Sequence, residues 1–343
     1  MAPTTLAPLT TLRLGGPADR VLTVADPADW ADTVHAIDQH DEPAPAVLGG
    51  GSNVIASDAG HRGTVVVMNT RGITAERVDD RTVAVTVQAG HPLTDLVAWA
   101  AAEHLAGIEC LAGIPGTAGA APVQNAGAYG QQVSDTLHHV TAWHWQDGAL
   151  QVLPAHGCHL RYRQSLFKAR PGRWTILTAT FHLTRTNQAA AVAYRPLEDE
   201  LGVPVGARPP VAEVTAAVLA NRHGRGLLLH PHGPDARQVG SVFLNPPVTA
   251  ADAARWSAVG CSVHTDSDGR LRASAGWLLE HIGCRPGHRL ADGIRCSQRR
   301  TLTLTVHDGA TAASLRAVLG TLAQDVHKAT GIELTPEPVV LGT

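Results

Sequence analysis

The stretch "ECLAGIPGTAGAAPVQNAGAYGQQ", residues 109–132, decides how this chain is read. Gly113, Gly116, Gly119 and Gly127 recur through it, and its only charge is Glu109. A hydrophobic core segment has no need of so much glycine. A flexible linker would not carry Ile114, Val123 and Tyr129. Glycine lets a main chain come close to a ligand, and Gln124 and Asn125 offer neutral hydrogen bonds.

A second backbone-exposing loop lies upstream, in "VLGGGSNVIASD", residues 47–58. Gly49, Gly50 and Gly51 can turn successive N–H groups toward an anion such as a pyrophosphate. Ser52 and Asn53 add side-chain donors. The pattern is not the dinucleotide fingerprint GxGxxG, because no helical pattern follows directly. Taken alone, this loop reads as readily as a tight turn. Two such loops together fit the walls of a long, part-polar cofactor such as FAD.

Around these loops the periodicities alternate between strand and helix. "VADPADWADTVHAIDQHD" predicts a helix with Asp26 as N-cap, Pro27 at its start and Trp30, Val34 and Ile37 on one face. "APAVLGGG" and "TVVVMN" predict buried strands. "RTVAVTVQAG" alternates over Val83, Val85 and Val87, the mark of a strand with one buried face. "HPLTDLVAWAAAEHLAG" reads as a helix packed through Leu93, Leu96, Val97 and Ala100, with Gly107 past its end. "TLHHVTAWHWQDGALQVLP" reads as a hairpin turning at Asp147–Gly148. "WTILTATFHLT" is a further strand, "PVAEVTAAVLANRHG" a helix, and "ATAASLRAVLGTLAQDVHKATG" a long amphipathic helix stopped at Gly331. "LHPHGPDARQ" (229–238) reads as an exposed loop. The mixture indicates an α+β fold.

Composition narrows the function. The 343 residues, at roughly 100–200 per domain, predict two or three domains. A hydrophobic fraction of 44% and a formal net charge of -3 suit a globular protein and disfavour a nucleic-acid binder, which would carry a basic stripe. No window approaches the ~20 apolar residues of a membrane span, and no signal peptide is read at the N-terminus. Cys110, Cys158, Cys261, Cys284 and Cys296 are scattered without a CxxC pair, as expected of reduced thiols in a cytoplasmic protein. The 19 histidines show no metal-ligand spacing, so no metal is expected. Only Lys168 and Lys328 are lysines, so Arg can stand where related chains use Lys.

"LGGGSNVIASD", "LAGIPGTAGAAPVQNAGAYGQQV", "LRYRQSLFK", "VGSVFLNP" and "LTPEPVVLG" occur in the order found in UDP-N-acetylenolpyruvoylglucosamine reductase, the MurB flavoenzyme family of peptidoglycan synthesis, in its type I form. The chain resembles that family from "TLRLGGPA" to "LTPEPVVLG". The first two motifs also fit the wider FAD-binding fold of vanillyl-alcohol oxidase; the last three are specific to the reductase. The resemblance implies FAD-binding subdomains at 1–70 and 71–215. A substrate-binding domain would follow at 216–343, its tail returning to the active site. It implies non-covalent FAD, NADPH as reductant, a monomer, and a nucleotide-sugar substrate whose enolpyruvyl ether is reduced to a lactyl ether.

Site residues follow from the same resemblance. Ser241 matches the proton donor, Arg163 the arginine that holds the substrate carboxylate, and Glu337 the glutamate near the C-terminus. Without the family these read as a turn hydroxyl, a surface arginine and an exposed carboxylate. Gly49, Gly50, Gly51, Ser52, Asn53, Gly113, Ile114, Pro115, Gly116, Gly119, Gln124, Asn125, Gly127 and Tyr129 would line FAD. Tyr194, Arg225, Asn245 and Arg285 would contact substrate. Departures cluster in the last third: Val242 replaces a phenylalanine, His264 an aromatic, and Arg225, Arg272 and Arg285 replace lysines. At a phosphate site a planar fork in place of a point charge is not a neutral change. A second reading is therefore a paralogue of the same fold acting on another nucleotide-linked or nucleoside substrate in specialised metabolism.

Overall fold

The computed structural model describes residues 4–38, 44–192 and 195–342. The chain divides into two compact units that interleave in sequence. One comprises 20–50 and 63–228, the other 1–19, 51–62 and 229–343.

The unit formed by 20–50 and 63–228 is built on an antiparallel sheet. Its strand order is Ala149–Pro154, Leu137–His144, Trp174–Arg185, Thr82–Gln88 and Ile73–Arg77, with Leu105–Ala106 added beside Trp174–Arg185. The period-two pattern of "TVAVTVQ" places Val83, Val85 and Val87 in the core while the alternate residues stay partly exposed. The hairpin turns at Gly148, and its strands pair from His144↔Ala149 to His139↔Pro154. Helix Leu93–Ala102 buries Leu93, Leu96, Val97 and Ala100, the stripe its spacing predicts. It stops at Glu103, before Gly107. Asp26 accepts a hydrogen bond from the Ala28 N–H (2.9 Å) and opens a short 3-10 turn into helix Trp30–Asp38. Trp30 meets Trp143 and Trp145 edge-on, with centroids 6.4 and 6.0 Å away. These contacts add to burial of the Val34–Ile37 face. Helix Val211–Gly224 closes the unit and buries Val211, Val214, Ala217, Val218 and Arg222.

The other unit centres on a four-stranded sheet in the order Gln238–Ser241, Thr303–Val306, Ile294–Cys296 and Arg289–Ala291. Helix Ala312–Thr330 packs Leu315, Leu319, Leu322 and Val326 into the same core as Phe243, Trp256 and Leu278. Thr311 caps the start of this helix, and Gly331 in the left-handed region ends it. Helices Ala250–Ser257 and Ala275–His281 start at side-chain caps from Thr249 and Ser274. The last strand, Val339–Leu341, runs parallel to Val54–Ala56 in the register Val339↔Val54, Val340↔Ile55. The C-terminal tail is thereby joined to the segment that follows the first glycine loop.

Candidate active site: two facing glycine loops and a Ser–Glu backbone junction

Within the first unit the two glycine loops face each other main chain to main chain. A Cβ added to Gly50 would lie 3.1 Å from the Gly116 Cα, and one added to Gly49 would lie 2.4 Å from the Thr117 Oγ1. Gly116 has φ +114°, a conformation that side-chain-bearing residues rarely adopt. The 109–132 loop is anchored on the strand-to-helix turn before it: Ala118 and Gly119 N–H donate to the His91 and Ala89 carbonyls (2.8 and 2.9 Å). Its single charge, Glu109, is buried and accepts from the N–H of Gly107 (2.6 Å) and Ala190 (3.0 Å), so the charge builds the loop.

Asn125 also builds the loop. It sits at φ +43°, is fully buried, and donates from Nδ2 to Gln132 Oε1, Ser134 Oγ and the Arg161 carbonyl, each at 3.2 Å. Its Oδ1 accepts from the Ser134 N–H at 2.9 Å. A side chain expected to face the cofactor is thus engaged inside the loop by four internal bonds. Its own carbonyl and that of Gly127 orient Arg163, whose Nη1 donates to Asn125 O (3.4 Å) and Nη2 to Gly127 O (2.7 Å). Arg163 itself has φ +53°. Tyr129 donates its hydroxyl to Asn221 Oδ1 at 3.0 Å, which ties the loop to helix Val211–Gly224.

Arg222, on that helix, is the residue the motifs did not reveal. It is only 8% exposed, and its Nε is buried without a hydrogen-bond partner. A Cβ on Gly113 would come within 3.1 Å of that Nε. Burial holds the guanidinium below its ordinary pKa; Tyr129 opposes the shift, while the nearby Arg225 and Arg163 charges add to it. A desolvated cation with an orphaned Nε, beside two more arginines, is arranged for an anion. The helix carried a signal for it: Arg222 falls four residues after Val218, on the buried stripe of Val211, Val214 and Val218. Thr117 Oγ1 is a second buried polar atom without a partner.

In the other unit, Gly51 is pressed against the N-terminal turn, where a Cβ would lie 2.0 Å from the Leu9 carbonyl oxygen. Ser241 ends the strand Gln238–Ser241, opposite Thr303. One residue on, the Val242 carbonyl accepts the Glu337 N–H at 2.9 Å. Asn53 Nδ2 donates to the Glu337 carbonyl (3.4 Å), and the Asn53 carbonyl accepts the Val339 N–H (2.9 Å). The segments of Asn53, Ser241 and Glu337 are therefore bound together through their main chains.

Residues 18–153 match the family described as FAD binding domain, and residues 232–341 match the UDP-N-acetylenolpyruvoylglucosamine reductase C-terminal domain. The UDP-N-acetylenolpyruvoylglucosamine reductase of Thermobifida fusca (strain YX) is 39% identical over 98% of this chain and 96% of its own length. That of Mycolicibacterium gilvum (strain PYR-GCK) is 40% identical over 98% of this chain and 95% of its own. The chain belongs to the UDP-N-acetylenolpyruvoylglucosamine reductase family. The crystal structure of the reductase from Thermus caldophilus shares its fold, with a TM-score of 0.65 at 24% identity over 98% of this chain and 97% of that one.

Membership makes the chain a flavin-dependent oxidoreductase with FAD as cofactor. The residues present fit that group: a neutral main-chain cradle that a Cβ would fill, with two orphaned buried polar atoms, Thr117 Oγ1 and Arg222 Nε, beside it.

The reductase's expected substrate contacts vary in placement. Asn245 uses Oδ1 to accept the Ala275 N–H (3.0 Å) at the start of helix Ala275–His281, and its carbonyl accepts Arg272 Nη1 (2.9 Å). Arg272 is itself paired with Asp266 (2.5 Å), whose carboxyl is held below its usual range against the opposing effect of burial, by the Arg270 N–H and the Arg272 guanidinium. Arg285 Nη1 donates to the carbonyls of Glu280 and Cys284, both at 2.6 Å, at the end of that helix. Arg225 caps helix Val211–Gly224 through its own N–H. Tyr194 lies outside the described residues. Among the described residues no group of three His, Cys, Asp or Glu side chains is placed to hold a metal, and no helix is long and apolar enough to cross a membrane.

Proposed function

We propose that this chain reduces the enolpyruvyl ether of UDP-N-acetylglucosamine to the lactyl ether, UDP-N-acetylmuramate, using NADPH. The observation that carries this reading is the main-chain junction of Ser241–Val242, Glu337 and Asn53. It joins three family-matched segments, distant in sequence, by hydrogen bonds. Similarity of 39–40% over nearly the full length of named reductases favours this substrate over that of a paralogue. The division of labour expected at 1–70, 71–215 and 216–343 is part of the proposal; the separate family matches at 18–153 and 232–341 favour its last part, and the first match runs across the boundary at 70.

When bound, FAD supplies the hydride, taken from NADPH and passed to C3 of the enolpyruvyl group. Ser241 delivers the proton to C2. A serine hydroxyl is a weak acid, so it serves only where negative charge develops beside a held carboxylate. Arg163 holds that carboxylate: its planar fork matches two oxygens, and its bonds to Asn125 O and Gly127 O fix the fork's orientation. Arg222 offers its buried Nε to the cofactor, because its neighbours Gly113 and Tyr129 belong to the flavin loop. The backbone bond from Glu337 to Val242 ties the C-terminal segment to the residue after Ser241, and the Glu337 carboxylate is assigned, from the family match, to polarising the same end of the substrate or the donor serine. Free thiols at all five cysteines suit a reducing, cytoplasmic setting. The working species is taken as a monomer.

Separating the half-reactions tests the assignment. Ser241→Ala should leave NADPH-driven flavin bleaching near the parent rate and slow substrate reduction by roughly 10²–10⁴-fold. Equal slowing of both halves would remove Ser241 from the proton-donor role.

A further inference from the structure

The polar network behind Asn245 is built around one buried ion pair. The segment "FLNPPV" (243–248) runs beside the strand Leu271–Ala273: the Val248 N–H donates to Leu271 O (2.9 Å) and the Ala273 N–H to Pro246 O (3.0 Å). Pro246 and Pro247 have no N–H to give, so this stretch of main chain offers mostly acceptors. The Asn245 carbonyl takes its donor from a side chain, Arg272 Nη1 at 2.9 Å. Arg272 is aimed there because its Nε is held by Asp266 Oδ2 at 2.5 Å, with the two side chains 9% and 1% exposed. Asp266 is fixed in turn by the hairpin turn it opens. Its Oδ1 accepts the N–H of Asp268 and of Arg270, both at 2.9 Å, and the flanking strands Val263–Thr265 and Leu271–Ala273 pair His264 with Arg272.

The far end of the network is a carboxamide. Asn245 Oδ1 accepts the Ala275 N–H at 3.0 Å, at the start of helix Ala275–His281. This bond fixes which way the amide faces and leaves Nδ2 as the donor end of a half-buried side chain. Arg272 has no such freedom. Its Nε and Nη1 are taken by Asp266 and by the Asn245 carbonyl, and its charge is balanced by the carboxylate. A planar guanidinium can bridge these two acceptors; a lysine ammonium, a single point of charge, does not reproduce that fork. The arginine that stands where the resemblance expects a lysine is therefore turned to the protein's own main chain.

We propose that Asp266 and Arg272 are positioning residues for the nucleotide sugar: the buried pair sets the Asn245 main chain, and Asn245 Nδ2, not the Arg272 cation, donates to the substrate's diphosphate. This inference rests on the substrate assigned above and on the contact expected of Asn245. The pair acts on binding alone. Loosening it weakens the ground state and the transition state alike, which raises KM and leaves kcat.

The test is steady-state kinetics of FAD-loaded protein with NADPH and the enolpyruvyl ether of UDP-N-acetylglucosamine. Asp266→Asn removes the charge that holds Arg272, and Arg272→Lys keeps the charge but not the fork. Each should raise KM for the ether by roughly 3- to 10-fold, the range of one neutral hydrogen bond, with kcat and the rate of flavin bleaching by NADPH near the parent's. Asn245→Ala should raise KM as much or more, and adding Asp266→Asn or Arg272→Lys to it should raise KM no further. An unchanged flavin spectrum shows that each variant has folded, and Arg272→Lys, which keeps the ion pair, carries the test if Asp266→Asn does not fold. Unchanged KM in Arg272→Lys, with only a lower melting temperature, would make the pair structural and overturn the proposal. So would a KM effect that persists in full on the Asn245→Ala background, the sign of direct contact between Arg272 and phosphate. If the parent turns the ether over and these variants match it, this inference alone fails; if the parent does not turn it over, the assigned substrate fails and the inference with it.

Discussion

Arg222→Met separates a cofactor anchor from a structural arginine, because the two roles predict opposite signs. Methionine keeps the length and flexibility of the side chain without its charge. In the apoprotein, Arg222 holds a buried Nε with no partner, and such a group carries a desolvation penalty of about 1–3 kcal/mol. The charge of Arg222 is further disfavoured by burial and by Arg225 and Arg163. Removing it should leave apoprotein stability unchanged or raise it, even though the bond from Nη2 to Leu227 O (3.3 Å) is lost. In the holoprotein the same change deletes a charge-assisted hydrogen bond worth about 1.5–3 kcal/mol. At about 1.4 kcal/mol per tenfold, FAD affinity should fall roughly 10- to 150-fold. Chemical denaturation of flavin-free protein measures the first effect, and quenching of FAD fluorescence on titration measures the second. An apoprotein destabilised by more than about 2 kcal/mol with unchanged FAD affinity would refute the anchor and make Arg222 a packing residue.

Three further outcomes are expected. Gly331→Ala meets no neighbouring atom but must adopt φ +76° at the end of helix Ala312–Thr330; it should lower unfolding free energy by about 1 kcal/mol with kinetics unchanged, as read by urea titration. Asn125→Ala removes four internal bonds of the flavin loop and should lower stability by about 2–4 kcal/mol, with release of FAD at a lower temperature than in the parent. His138 stacks on His182 at 3.8 Å and contacts His139; His139 and His182 are held below 6.5, first by burial and then by His138, with Asp79 opposing at His182. A folded-state pKa below the unfolded one means stability is full above about 6.5 and falls as pH drops through the folded values. The melting temperature should therefore decline on acidification from neutral pH, and His138→Asn should make that decline shallower.

Much of the fold follows from local pattern. Val83, Val85 and Val87 alternate, Trp30, Val34 and Ile37 repeat at helical spacing, and Gly331 stops the last helix, all visible in the chain and all observed. Ala250–Ser257 and Ala275–His281 were not legible, because each spans about two turns and leaves little periodicity beyond its cap. The interleaving of the units was also hidden, since it rests on long-range pairing such as Val339–Leu341 with Val54–Ala56. At the site, the glycine loops announce themselves by composition. The use of Asn125 and Arg285 for internal bonds does not, because a polar side chain gives no local sign of whether it faces a ligand or its own backbone. Arg222 was legible only as a charge on an otherwise buried helical stripe.

The central claim is tested most directly by reoxidation of the reduced flavin without oxygen. The purified protein, bleached with one equivalent of NADPH under anaerobic conditions, should regain its yellow absorbance on addition of the enolpyruvyl ether of UDP-N-acetylglucosamine, with UDP-N-acetylmuramate formed in equal amount. A flavin that bleaches normally and stays bleached in the presence of that compound would contradict the assigned substrate.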